Sequence, residues 1–160
     1  MPTYHLVICL ILVLNCLEGS SSWSTSREPV VAFTAKLSKD TTVRGHGIVK
    51  YDSVITNIGR AYNPKSGIFT APYDGLYTIT GTLMSLPSNS VHLRINKNGQ
   101  KMSLLYSASK TYPQSGQTLH LLLNKGDRIW IQNANPQTAK LHDHGSYNLF
   151  SVILVHVTHV

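Results

Sequence analysis

The segment "LHDHGSY" places His142 and His144 on either side of Asp143. Two histidines at i and i+2 share one side of an extended chain and can hold a transition metal once a third ligand joins them. The sequence sets no further histidine or carboxylate beside them, so the loop reads as exposed and polar and no metal site is expected. Calcium needs several clustered oxygens, and the segment from Lys101 to Leu123 contains no acid, so no calcium cage is expected there either.

Other chemistries lack their parts. Beyond Glu18 the acids are Glu28, Asp40, Asp52, Asp74, Asp127 and Asp143, mostly in turn-like contexts, and no two form a general acid/base pair. No Gly-x-Ser-x-Gly elbow carries a nucleophilic serine, and no glycine-rich loop leads into a helix to cradle phosphate. The chain is therefore not expected to be an enzyme or to use a cofactor.

The amino terminus bounds the compartment. Leu6 to Leu14, "LVICLILVL", is apolar and is followed by the small residues Gly19 to Ser22. This is the pattern of a secretory signal peptide, and the run is too short for a stable membrane anchor. Residues 1–22 are expected to be removed, 23–29 to form a short lead-in, and 30–160 to form one domain. Cleavage removes Cys9 and Cys16 and leaves a chain without cysteine, held by its core or by partner chains. All 14 Lys and Arg lie beyond residue 22, and only Glu18 of the seven acids is lost, so the net charge becomes 14 − 6 = +8. A basic secreted domain favours anionic partners such as acidic glycans, whereas secretion argues against nucleic acid.

From Val30 onward, short alternating runs are separated by turn residues, the mark of a β-sandwich or barrel. Val31, Phe33, Ala35 and Leu37 share one face of a first strand. In "NPKSGIFTAPYDGLYTIT", strand-forming residues stop at Pro72 to Gly75 and resume at Leu76, which reads as strand, corner, strand. Asn98-Gly99 predicts a two-residue hairpin turn. That turn would pair Lys97 with Gln100, Ile95 with Met102, Leu93 with Leu104 and Val91 with Tyr106, so that the apolar residues meet on a single inward face. Arg94 and Lys101 then fall diagonally adjacent on the outward face. A second hairpin is expected across Asn124 to Asp127, with Leu119, Leu121, Leu123, Ile129 and Ile131 on one face. Lys125-Gly126-Asp127 resembles an adhesive tripeptide but reads as a tight turn. In "YNLFSVILVHV", Phe150, Val152 and Leu154 take one side and Leu149, Ile153, Val155 and Val157 the other. A strand apolar on both sides needs a cover on each, and a second subunit could supply the outer one.

Tyr51, Asn57, Tyr62, Phe69, Gly75 and Tyr77 fall at the spacings of the signature of the complement C1q globular-head family, and "NKGDRIWIQ" and "FSVILV" resemble its late strands. Tyr51 stands where phenylalanine is usual and Ile79 where an aromatic is usual. The resemblance implies an all-β, ten-stranded jelly-roll of two five-stranded sheets in the C1q/TNF-like manner, assembled as a homotrimer. No Gly-x-y repeat precedes Val30, so the chain resembles the stalkless heads of invertebrates, notably bivalve molluscs, described as pattern-recognition proteins or lectins of innate immunity. The function expected is that of a secreted recognition module for microbial or acidic carbohydrate. A receptor ligand of the tumour-necrosis-factor kind and a matrix or shell protein are the alternatives. Arg94, Lys101, Tyr112, His142 and His144 are the residues expected to touch ligand.

Overall fold

The computed structural model describes residues 28–88 and 90–158. Among them no residue is helical, and the chain runs through twelve strands. These are β1 (Ala32–Lys36), β2 (Thr41–Val43), β3 (Ser53–Ile58), β4 (Tyr62–Asn63), β5 (Ile68–Thr70), β6 (Gly75–Met84), β7 (Val91–Lys97), β8 (Gln100–Ser107), β9 (Gln114–Leu123), β10 (Arg128–Asn133), β11 (Ala139–Leu141) and β12 (Leu149–Val157). Ten of them form two five-stranded antiparallel sheets, ordered β3-β1-β12-β6-β9 and β4-β5-β10-β7-β8, and β2 pairs with β11 in a small ribbon. This is the jelly-roll expected from the sequence.

The alternation in β1 does what its pattern requires, since Val31, Phe33, Ala35 and Leu37 are all buried. Between the sheets the aromatic rings form a connected ladder. Phe33 stacks on Tyr62 at 4.3 Å and meets Phe150 edge-on at 4.9 Å, while Phe69 meets Tyr77 at 5.8 Å. Each such pair adds about 0.5–1.5 kcal/mol beyond the area it buries. Burial pushes the Tyr51 and Tyr62 hydroxyls well above the usual phenol range. The Asn57 amide brackets the backbone of Tyr62, donating to its carbonyl at 2.9 Å and accepting from its N–H at 3.3 Å.

At Ala71 to Asp74 the chain leaves β5 in one sheet and enters β6 in the other. Gly75 opens β6 where the β12 backbone passes so closely that an added Cβ would collide with the His156 carbonyl. No other side chain fits that crossing.

Three expectations need correction. Asn98-Gly99 does turn, with both residues at positive φ (51° and 90°), and Lys97 pairs with Gln100 and Asn96 with Lys101. The register then slips, so that Ile95 faces Ser103, Arg94 faces Leu104, Leu93 faces Leu105 and Val91 faces Ser107. Met102 is the extra residue of a β-bulge, and one inserted residue exchanges the faces beyond it. Leu105 and Ser107 are therefore buried, while Leu104 and Tyr106 are exposed.

The expected second hairpin does not form. β9 pairs with β6 and β10 pairs with β5 and β7, so Asn124 to Asp127 carries the chain between sheets. Leu123 and Ile129 still meet the core, each from its own sheet. In β12 a bulge at Val155 returns Val157 to the core side, where it is buried opposite Gly75. Ile153 and Val155 remain outward and about half exposed, at 49% and 56%.

Candidate functional site

The outward surfaces of the two sheets differ in kind. On the first sheet, cross-strand partners run Ile58, Ala32, Ile153, Thr78 and His120 in one row and Thr56, Thr34, Ser151, Thr80 and Thr118 in the next. That face is short-chained and mostly uncharged, small hydroxyl residues around Ile58, Ala32 and Ile153, and it is flanked by exposed Ile55, Leu122 and Val155. Neither row carries a lysine, an arginine or a carboxylate.

On the second sheet, β10 turns Arg128, Trp130 and Gln132 outward, β7 turns His92, Arg94 and Asn96 outward, and β8 adds Lys101, Leu104 and Tyr106. The Arg128 guanidinium lies 5.9 Å above the Trp130 ring. The His92 ring lies 4.7 Å from that of Tyr106. Gln132 Oε1 accepts from Trp130 Nε1 and from Asn96 Nδ2, each at 3.2 Å. Arg94 Nε and Asn96 Oδ1 are buried without partners, so part of this row's hydrogen-bonding capacity is unspent within the chain. Arg94 and Lys101 share the outward face as the sequence requires, although the bulge puts Leu104 rather than Ser103 opposite Arg94. Next to Arg128 a depression of about 520 Å³ is also lined by Arg60 and Lys125. The sequence marks Lys125 only as part of a turn and does not mark Arg60, Arg128 or Trp130 for binding, because Arg60 and Lys125 meet Arg128 only once β5 is laid beside β10.

Tyr112, His142 and His144 meet at a separate place among the loops. The His142 ring lies 4.9 Å from that of Tyr112 and 5.0 Å from that of His144. The loop after β11 is fixed by the buried Asn148, whose amide donates to the His142 carbonyl at 2.7 Å and whose Oδ1 accepts from the Met84 amide at 3.1 Å. Asp143 is buried and forms the turn, its Oδ1 accepting from the Tyr147 amide at 2.9 Å. The fold also brings in Asp40, 103 positions from Asp143, whose Oδ1 accepts that residue's amide at 2.8 Å. This hydrogen bond is the main cause that holds the Asp40 carboxyl below its usual range; desolvation opposes it, and the two imidazoles add smaller lowering contributions. No sequence spacing could have pointed to Asp40.

A model of the C1q domain matches residues 32–155, the whole sandwich just described. The chain belongs to the C1q domain family. It is 30% identical over 132 residues to the human complement C1q tumor necrosis factor-related protein 3, covering 80% of this chain and 52% of that one. It is also 30% identical over 139 residues to the mouse collagen alpha-1(X) chain, covering 83% of this chain and 20% of the relative. This chain thus spans about half the length of the first relative and a fifth of the second. Among solved structures, the globular domain of zebrafish complement 1qA protein superposes with TM-score 0.65 at 17% identity, covering 81% of this chain and 99% of that one. The Eiger TNF of S. frugiperda superposes with TM-score 0.68 at 10% identity, covering 83% and 97% respectively. Identities this low establish the shared jelly-roll alone.

Membership fits a non-enzymatic recognition or ligand module. No helix among the described residues is long and apolar enough to cross a membrane. The signal-peptide segment lies outside the described residues.

Proposed function

We propose that the protein is a secreted recognition module that self-associates, as a homotrimer, through the outward face of its first sheet and binds acidic carbohydrate, including that of microbial surfaces, on the outward face of its second. The observation that carries this reading is the contrast between those faces. One offers exposed Ile58, Ile153 and Val155 among small hydroxyl residues, the composition of a surface meant to be covered. The other sets Arg94, Lys101 and Arg128 among the rings of Trp130, His92 and Tyr106, with no carboxylate among these residues.

Fixed cations attract carboxylated or sulfated sugars, and aromatic faces stack on sugar rings. A shallow site of this kind binds weakly alone, and several copies held rigidly in one assembly gain orders of magnitude by avidity. The wall-less form of the site suits a repeated surface ligand better than a single small molecule.

A glycan array carrying neutral, uronic and sulfated oligosaccharides, probed with the purified protein, tests this reading. Retention on the acidic members that weakens with added salt supports it. Binding to neutral sugars alone, or saturable binding to one cell-surface receptor with no glycan retained, overturns it, the latter in favour of a signalling ligand.

A further inference from the structure

We propose that Asp40, His142 and His144 form a binding site for a divalent transition metal ion of the zinc class. Asp40 comes from the loop between β1 and β2, and the two histidines from the loop between β11 and β12. One donor atom from each lies within 4.8 Å of the other two. Asp40 Oδ1 is 3.1 Å from His142 Nδ1 and 3.7 Å from His144 Nε2. A tetrahedral ion bound at roughly 2.0–2.1 Å keeps its ligand atoms about 3.3 Å apart. The two distances from Asp40 bracket that value, and exposed His144 is free to adjust toward it.

Asp40 Oδ1 stands 3.1 Å from the buried His142 Nδ1, close enough to share a proton with it but off the line of a well-directed hydrogen bond. A cation between them would receive a lone pair from each. Asp143 Oδ2, in the same loop, is a second buried acceptor without a partner.

The backbone around the donors is held in place by hydrogen bonds, and the His142 ring by packing. The Asp143 amide fixes Asp40, and the Met84 carbonyl accepts from the His142 amide at 3.0 Å. The rings of Tyr112 and Tyr147 flank the His142 imidazole at 4.9 and 5.9 Å. Such surroundings orient ligands before the ion arrives. Two imidazoles and one carboxylate suit zinc, cobalt, nickel or copper rather than calcium, which prefers six to eight oxygens. His144 is 76% exposed, so the side facing solvent leaves a coordination position for water or an outside oxygen ligand.

The test is calorimetric titration of the purified protein with zinc chloride, paired with the visible spectrum of the cobalt-loaded form. One ion per chain and a cobalt spectrum of nitrogen and oxygen ligation are expected. His144→Ala and Asp40→Asn should each weaken binding by more than about tenfold, since loss of a ligand costs at least what loss of an outer partner does. Both variants should retain the far-ultraviolet circular dichroism of the parent, and His46→Asn, at another histidine outside the cluster, should bind as the parent does. Calcium chloride should give no heat at this stoichiometry. The proposal is overturned if zinc fails to saturate at one per chain, if His144→Ala binds as tightly as the parent, or if His46→Asn weakens binding equally.

Discussion

Lys97 Nζ lies 2.9 Å from Asp127 Oδ2, an ion pair that ties the tip of the β7–β8 hairpin to the turn by which the chain passes from one sheet to the other. The same carboxylate accepts from Asn98 Nδ2 at 2.7 Å and from the Asn124 amide at 2.8 Å, while Asn98 Oδ1 accepts from the Arg128 amide at 2.8 Å. One acidic side chain thus organises two turns that are remote in sequence.

This arrangement sets a pH dependence. Burial raises the Asp127 pKa, but the hydrogen bonds from Lys97, Asn98 and Asn124 outweigh it and hold the carboxyl below its ordinary value. A carboxyl depressed in the folded state contributes stability that is whole above its unfolded pKa, about 3.9, and is lost as pH falls from there through the folded value. Asp127→Asn should lower stability at pH 7 by about 1–2 kcal/mol, the scale of a charge-assisted hydrogen bond. Melting curves from pH 7 to about pH 2.5 should show parent and variant converging below about pH 4, the unfolded carboxyl's range. A gap that stays constant across that range would contradict the assignment.

Asn57→Ala removes both hydrogen bonds to the Tyr62 backbone. Leaving those peptide groups short of partners should cost about 1–3 kcal/mol. Each kcal/mol lowers Tm by roughly 2–8 °C for domains of this general size, so calorimetry resolves the loss. Gly75→Ala should be at least as damaging, because its Cβ meets the backbone carbonyl of His156 rather than a side chain that can turn aside. A stable Gly75→Ala variant with unchanged Tm would show that the β6–β12 crossing is looser than described.

The sequence made the layout legible wherever it depended on local chemistry. Alternation in β1, the break at Pro72 to Gly75 and the Asn98-Gly99 turn all follow from side-chain period, fixed φ and permitted positive φ. It could not locate the bulge at Met102, because a bulge adds a residue without changing composition, and Leu104 and Leu105 are equally plausible core residues. The passage between Leu123 and Ile129 looked like a hairpin because two alternating strands and a tight turn read alike whether the strands pair or separate into two sheets. Asp40 beside His142, and Arg128 of β10 on the same outward face as Arg94 of β7, belong to tertiary geometry. Only topology brings such residues together.

The exposed Ile58, Ile153 and Val155 on the uncharged outward face of the first sheet predict the assembly state. Ile153→Asp replaces a half-exposed side chain and should cost the isolated fold no more than about 1 kcal/mol, the span of strand propensities. In an assembly it would place a carboxylate within a covered apolar surface, at a cost of several kcal/mol. Light scattering should therefore report a trimer for the parent and a smaller species for the variant, with the circular dichroism of a folded β-sandwich in both. A monomeric parent at micromolar concentration would leave Ile58, Ile153 and Val155 without the role proposed for them.

The second sheet's cationic face is tested by the double change Arg94→Ala with Lys101→Ala. The two side chains stand on neighbouring strands of one outward surface, with Leu104 opposite Arg94 and Asn96 opposite Lys101, so removing both strips the centre of the patch while Arg128 and Trp130 remain. Lys101 is exposed, and its loss should not disturb folding. Arg94 is half-buried, and its stem packs among neighbours, so a stability cost of about 1 kcal/mol is expected from lost contact alone. If attraction to fixed cations drives binding, affinity for a sulfated oligosaccharide should fall at least about tenfold, equivalent to about 1.4 kcal/mol. Parent binding should also weaken steeply with salt, since at about 1 M ionic strength screening acts over about 3 Å. The double variant should retain the parent's mass by light scattering, because Arg94 and Lys101 lie on the opposite sheet from Ile153. Equal affinity in parent and variant, or binding indifferent to salt, would move the ligand site away from this face and leave the cations as a solvated surface.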